Sequence, residues 1–230
     1  MTESHDQHAR ERVRFDVHAD GTVEGDDGDD GHLAETLRYV CRMGSQIGAL
    51  LGLGDLERLS TLSPLGLMAR VAGVPPHVSI KAETEIPGIE RPELVPAASM
   101  NVRDAIDRAL RRVIIDLGTD WAAIITDHGR LVGAVHDEYA ARGAPESLLD
   151  VGERALAVLG ALDESLRETA VRLDFRRGSV LVAGIGQHAL YTHADKVDLS
   201  EVIRTVTAVQ SLLAAADLAH ADLVTASHPV

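Results

Sequence analysis

The chain opens on a period of two, with Val13, Phe15 and Val17 alternating with Arg14, Asp16 and His18 as in a half-buried strand. Asp20-Gly21 marks a hairpin turn. The acidic, glycine-rich EGDDGDDG at 24–31 then predicts a poor second strand that dissolves into a loop. From His32 the apolar spacing changes to three and four. Leu33, Leu37, Val40, Gly44, Ile47 and Leu51 share one face of a helix over 32–52, which Gly52 and Gly54 bring to an end. Three short strands follow at 56–63, 65–71 and 77–86, with turns at Pro64 and Pro75-Pro76 between them. Residues 87–99 hold three prolines and no periodicity, the pattern of a linker.

Past that point the patterning is sharper. Val102, Ala105, Ile106, Ala109, Leu110, Val113, Ile114 and Leu117 form a single helical stripe, and Gly118 stops it. Trp121–Thr126 and Leu131–His136 are apolar strands around Asp127-His128-Gly129-Arg130, a compact hairpin turn. A helix is predicted from Pro145 to Leu166. Strands follow at 169–175, 179–185 and 189–193, and Asp198 with Glu201 caps a closing helix. Residues 1–11 read as a disordered leader and 223–230 as a loose tail. The expected organisation is a trimmed domain over 12–86, the linker 87–99, and a complete domain over 100–222.

The second half thus reads helix, strand, strand, helix, strand, strand, strand, helix. The first half repeats this order without the flanking helices, so the repeat is one of pattern rather than of identity. Every link between strands is short enough for an antiparallel hairpin, which makes the fold class α/β of the α+β type.

This order resembles the Roadblock family, the dynein light-chain-type domain that includes the MglB-type regulators of small GTPases. The residues that carry the resemblance are the helix 101–117, the hairpin WAAIITDHGRLVGAVHDE, the helix SLLDVGERALAVLGALDESL, the triplet RLDFRRGSVLVAGIGQHALYTHAD and the helix LSEVIRTVTAVQSLLAAA. The resemblance implies two tandem copies packed as an intrachain pseudo-dimer. Their third strands would pair near 59–63 and 169–175, and helices 32–52 and 146–166 would lie side by side. It implies no catalytic residue, since the family has no catalytic signature.

Composition narrows the partners. Against 22 Lys+Arg stand 36 Asp+Glu, a formal charge of -14 that repels phosphate backbones and anionic membranes. With two Phe, three Tyr and one Trp, a base-stacking platform is not expected either. One cysteine, Cys41, excludes an internal disulfide, and the start of the chain has no apolar run of signal or membrane-span length. A cytoplasmic protein that neither binds nucleic acid nor inserts in a membrane is expected.

Candidate chemistry is sparse. Gly184-Ile185-Gly186-Gln187-His188-Ala189 satisfies the dinucleotide fingerprint formally, but a strand rather than a helix follows, so a tight hairpin is expected there. The eleven histidines lack metal-ligand spacing; His188 and His193 fall on opposite faces of a strand. The run Asp26, Asp27, Asp29 and Asp30 fails calcium-loop spacing and reads as an exposed acidic loop. Cys41 reads as core packing. Arg103, Arg108, Arg111 and Arg112 read as surface charges paired with Asp104, Asp107 and Asp116. No catalytic, cofactor-binding or metal-binding residue is assigned, and no cofactor is expected.

The expected function is therefore non-enzymatic: regulation or scaffolding of a small Ras-like GTPase or another signalling protein. The alternative is a small-ligand sensor with a pocket between sheet and helices. An enzyme would need strongly perturbed carboxylates or histidines gathered in one cleft. The partner or homo-oligomer surface is expected on an uncovered apolar face of the first half, at Val13, Phe15, Val17, Leu37, Ile47 and Leu51. The second candidate surface is the helix pair 32–52 and 146–166.

Overall fold

The computed structural model describes residues 14–18, 20, 22–25, 31–62, 67–74, 77–84, 100–137, 146–162, 170–195 and 199–228. The expected leader 1–11, the acidic run 26–30 and the linker 87–99 lie outside them.

In the first half, strands β1 (Arg14–Val17) and β2 (Val23–Gly25) form a hairpin, followed by helix α1 (Gly31–Leu50) and strands β3 (Leu56–Thr61), β4 (Leu67–Val74) and β5 (His77–Thr84). The second half begins with helix α2 (Val102–Leu117), strands β6 (Trp121–Ile125) and β7 (Leu131–Asp137), and helix α3 (Leu148–Leu162). It continues with strands β8 (Ala170–Phe175), β9 (Gly178–Ile185) and β10 (His188–Ala194), helix α4 (Leu199–Leu213), a 3-10 turn at Leu218–His220 and strand β11 (Val224–His228).

Local chemistry sets most of these boundaries. Asn101 accepts a hydrogen bond from the Arg103 amide at 2.9 Å and starts α2, and Gly118 ends it in the left-handed region at φ 59. The β6–β7 turn closes when the Gly129 amide donates to the Thr126 carbonyl at 2.9 Å. At the β1–β2 turn, the Asp20 carboxylate accepts from both the amide and the hydroxyl of Thr22.

Among the described residues, eleven strands join one sheet in the order β11-β7-β6-β10-β9-β8-β3-β4-β5-β1-β2. Within each half the first five strands, counted in chain order, lie 2-1-5-4-3, and the two third strands meet: β3 runs antiparallel to β8 with Leu59 opposite Leu173. Among the described residues, only the β11–β7 pair is parallel. This terminal strand is a correction, because the segment expected to be a loose tail pairs Val224 with Gly133 and extends the sheet.

Two cores lie on opposite faces. Under α2 and α4, Ile106, Leu110, Val113, Val202 and Val209 meet Ile124, Leu181, Leu190 and Val135. Under α1 and α3, Leu37, Ile47, Val158 and Leu159 meet Leu59, Ile80, Leu173 and Tyr191. This second core runs across the β3–β8 junction. A Cβ added at Gly44 would meet Leu56 of β3 and Leu173 of β8, and one added at Gly48 would lie 2.6 Å from the Phe175 ring and 2.7 Å from the Gly54 carbonyl oxygen. Helix α1 therefore sits over the seam at a distance only glycine allows.

The expectation of a bare apolar face on the first half is overturned. Its strands send Val17, Leu59, Ala69, Ile80 and Ala82 to the side covered by α1. A bulge between Leu56 and Arg58 shifts the alternation, so that Leu56 also turns inward. The opposite side carries Asp16, Arg58, Arg70 and Lys81, with Met68 and Ala72 beside them, and is largely polar.

Candidate functional site

The residues expected to bind a partner are distributed by this packing. Val17 is 1% exposed and Leu37 and Ile47 are 0% exposed, so all three belong to the interior beneath α1. Leu51 is half-buried against the same core. Phe15 takes its place in β1 between Gly25 and Ala82, and Val13 lies outside the described residues. Counting α1 as too little cover for a sheet with two apolar faces places Val17 of β1, and Leu37 and Ile47 of α1 itself, at a surface. The sheet of this half has only one.

Helices α1 and α3 lie side by side, tied by the Arg154 Nε hydrogen bond to Gln46 Oε1 at 3.0 Å. Their outward residues include Tyr39, with Arg42 stacked 5.2 Å from its ring centre, and Leu50 and Leu149. These are large apolar side chains open to solvent on a surface to which both halves contribute.

Helix α3 packs directly on the sheet. Helix α3 approaches so closely that a Cβ at Gly152 would fall 2.8 Å from both Ile125 Cδ1 and the Tyr191 hydroxyl. That hydroxyl donates to the Leu148 carbonyl at 2.8 Å, and the Tyr191 ring meets Trp121 edge-on. Burial pushes the Tyr191 phenol above its ordinary pKa. This packing does not favour the small-ligand alternative.

The remaining candidates resolve locally. Gly184–Ala189 is a hairpin in which Ile185 pairs with His188 across Gly186, at φ 63, and Gln187. His188 Nδ1 accepts the Asp127 amide at 3.2 Å, and burial lowers the imidazole pKa, against the opposing charge of Asp127. His193 is buried with Nδ1 2.8 Å from Asp120 Oδ2, and its Nε2 has no hydrogen-bond partner among the described residues. Cys41 is buried and its thiol is pushed up to about 12 by desolvation, which leaves it protonated and inert. Arg111 pairs with Asp107 and Arg112 with Asp116, both one helical turn apart. Among the described residues, no group of three or more His, Cys, Asp or Glu side chains could hold a metal ion, and no helix is long and apolar enough to cross a membrane.

Sequence reasoning missed a pair of residues brought together by register alone. Arg58 of β3 and Arg70 of β4 are direct cross-strand neighbours, both exposed. Twelve positions separate them in the chain, and no motif marks either.

These features define an α+β protein with a large, mostly antiparallel sheet and a helix pair on each side. No protein-family model matches the chain, and no curated protein matches it significantly. Among solved structures, it is similar to the gliding protein MglB from Thermus thermophilus, at 19% identity and a TM-score of 0.41, over 54% of this chain and 96% of that one. It is likewise similar to MglB in a tetrameric arrangement, at 21% identity and a TM-score of 0.41, over 54% of this chain and 95% of the other.

Proposed function

We propose that this chain is a non-enzymatic, cytoplasmic regulatory or scaffolding protein, built of two Roadblock-like units over 12–86 and 100–222, that binds a small Ras-like GTPase. The observation that carries the reading is the shared strand order 2-1-5-4-3 of the two halves, joined third strand to third strand with α1 beside α3. In each half a helix connects the second strand to the third, as expected for two copies of one unit related as a pseudo-dimer. Function on such a fold belongs to its surfaces.

The partner surface in this reading is the outer face of the α1–α3 pair, where Tyr39, Leu50 and Leu149 are exposed. A buried aromatic or aliphatic anchor at the centre of an interface supplies a large share of its binding energy. The chain would act on a GTPase by positioning the GTPase's own residues.

The test is capture by the full chain from its native lysate, with GDP or a non-hydrolysable GTP analogue present, read by mass spectrometry. A small GTP-binding protein should be retained by the wild type and lost on Leu50→Asp/Leu149→Asp substitution. Recovery of no GTP-binding protein in either nucleotide state would overturn the reading.

A further inference from the structure

On the first-half face turned away from α1, the cross-strand ladder sets Arg58 opposite Arg70, and Arg70 opposite Lys81. The inward neighbours Leu59, Ala69 and Ala82 are buried beneath α1, so by alternation the three cations share the outer face. Directly opposed like charges destabilise a sheet.

A carboxylate flanks the row at each end, but only the one beside Lys81 pairs with a cation of the row. Lys81 Nζ lies 3.1 Å from Asp16 Oδ2. At the other end Asp174, the cross-strand partner of Arg58, is already engaged: its Oδ1 accepts from Arg172 Nε and from Ser179 Oγ, each at 2.6 Å. Among the described residues, neither Arg58 nor Arg70 has an ion-pair partner. In the adjacent rows, Met68 stands between Ser60 and Glu83, whose neighbour across β1 is Arg14, and Ala72 stands opposite Ser79. The short Ser60, Ala72 and Ser79 side chains leave the two guanidinium groups accessible from above.

We infer that Arg58 and Arg70 form a docking site for an acidic segment of a partner protein, its carboxylates taken by the paired guanidinium forks. Charge complementarity selects this occupant. A guanidinium matches a carboxylate with two parallel N–H···O bonds, and two unpaired arginines satisfy two side chains. A nucleic acid or an anionic bilayer needs an extended basic stripe, which a row bounded by Asp16 on one side and Asp174 on the other does not offer, and meets the field of a chain with net charge -14. A short peptide meets mainly the local charges, because salt screens the rest within about 8 Å at physiological ionic strength.

The test uses the full chain and a short fluorescein-labelled poly-L-glutamate, read by fluorescence anisotropy. The wild type should bind it with salt-sensitive affinity, and Arg58→Ser/Arg70→Ser should weaken binding at least tenfold with an unchanged circular dichroism spectrum. Arg70→Glu is the second variant. It sets a carboxylate between Arg58 and Lys81, so it should raise the melting temperature while abolishing binding, a combination that a structural role for Arg70 would not give. No binding by the wild type, or affinities within twofold across the three proteins, would overturn the inference. So would tighter binding to oligodeoxythymidine or to phosphatidylserine vesicles, a lower melting temperature for Arg70→Glu, or loss of self-association in the serine variant, which would make a second copy the occupant.

Discussion

Leu59→Ala tests whether the two halves form one cooperative unit. Leu59 is fully buried in β3, opposite Leu173 of β8 on one side and Ala69 of β4 on the other, at the seam beneath α1. Truncating a fully buried leucine removes its transfer energy and leaves a cavity, a loss of about 3 kcal/mol. For a chain of this size that corresponds to a fall in melting temperature of about 6–12 °C. The protein has a single tryptophan, Trp121, and it is buried in β6. Strands β8, β9 and β10 lie between β3 and β6, so Trp121 is about 19 Å from the substitution at ordinary strand spacing. At that range its fluorescence registers the change only through unfolding of the whole. Thermal melts followed by far-ultraviolet circular dichroism and by Trp121 fluorescence should coincide and shift together. An unshifted fluorescence transition, with an earlier step in the dichroism alone, would refute the reasoning and make the halves independent.

Cys41, its thiol held protonated by burial, should not react with Ellman's reagent in the native protein at mildly alkaline pH and should react fully in denaturant; rapid labelling of the folded chain would contradict its placement. His188 supplies a pH dependence whose sign follows from burial. Its folded pKa lies below the ordinary 6.5, so on acidification the unfolded chain takes up the proton first, and stability declines as the pH falls from above 6.5 towards the lowered value. Urea midpoints measured across that range should show a shallower decline for His188→Gln than for the wild type, and identical slopes would exclude His188 as the source.

Helix α2 and the β6–β7 hairpin were legible in the sequence because their determinants are local. The stripe from Val102 to Leu117 carries the period of its own backbone, and Gly118 and Gly129 supply the left-handed residues that a helix end and a tight turn require. The hairpin at Gly186-Gln187 was legible for the same reason, as were the Arg111–Asp107 and Arg112–Asp116 pairs, each one turn apart on a single helix.

Strand β11 was not legible. Val224 pairs with Gly133 about ninety positions earlier, and a parallel edge strand has no turn of its own to announce it. Nor could periodicity assign Val17, Leu37 and Ile47 to the interior. An alternating strand states that one face is apolar, while what covers that face depends on where α1 and α3 come to rest. The encounter of Arg58 with Arg70 is likewise a product of register, since a shift of one residue in β4 would turn that guanidinium to the other face of the sheet. The helices and hairpins could be read from the chain because their hydrogen bonds close within a turn or between adjacent strands. Which faces meet could be read only from the folded molecule, because those contacts join residues that no local period relates.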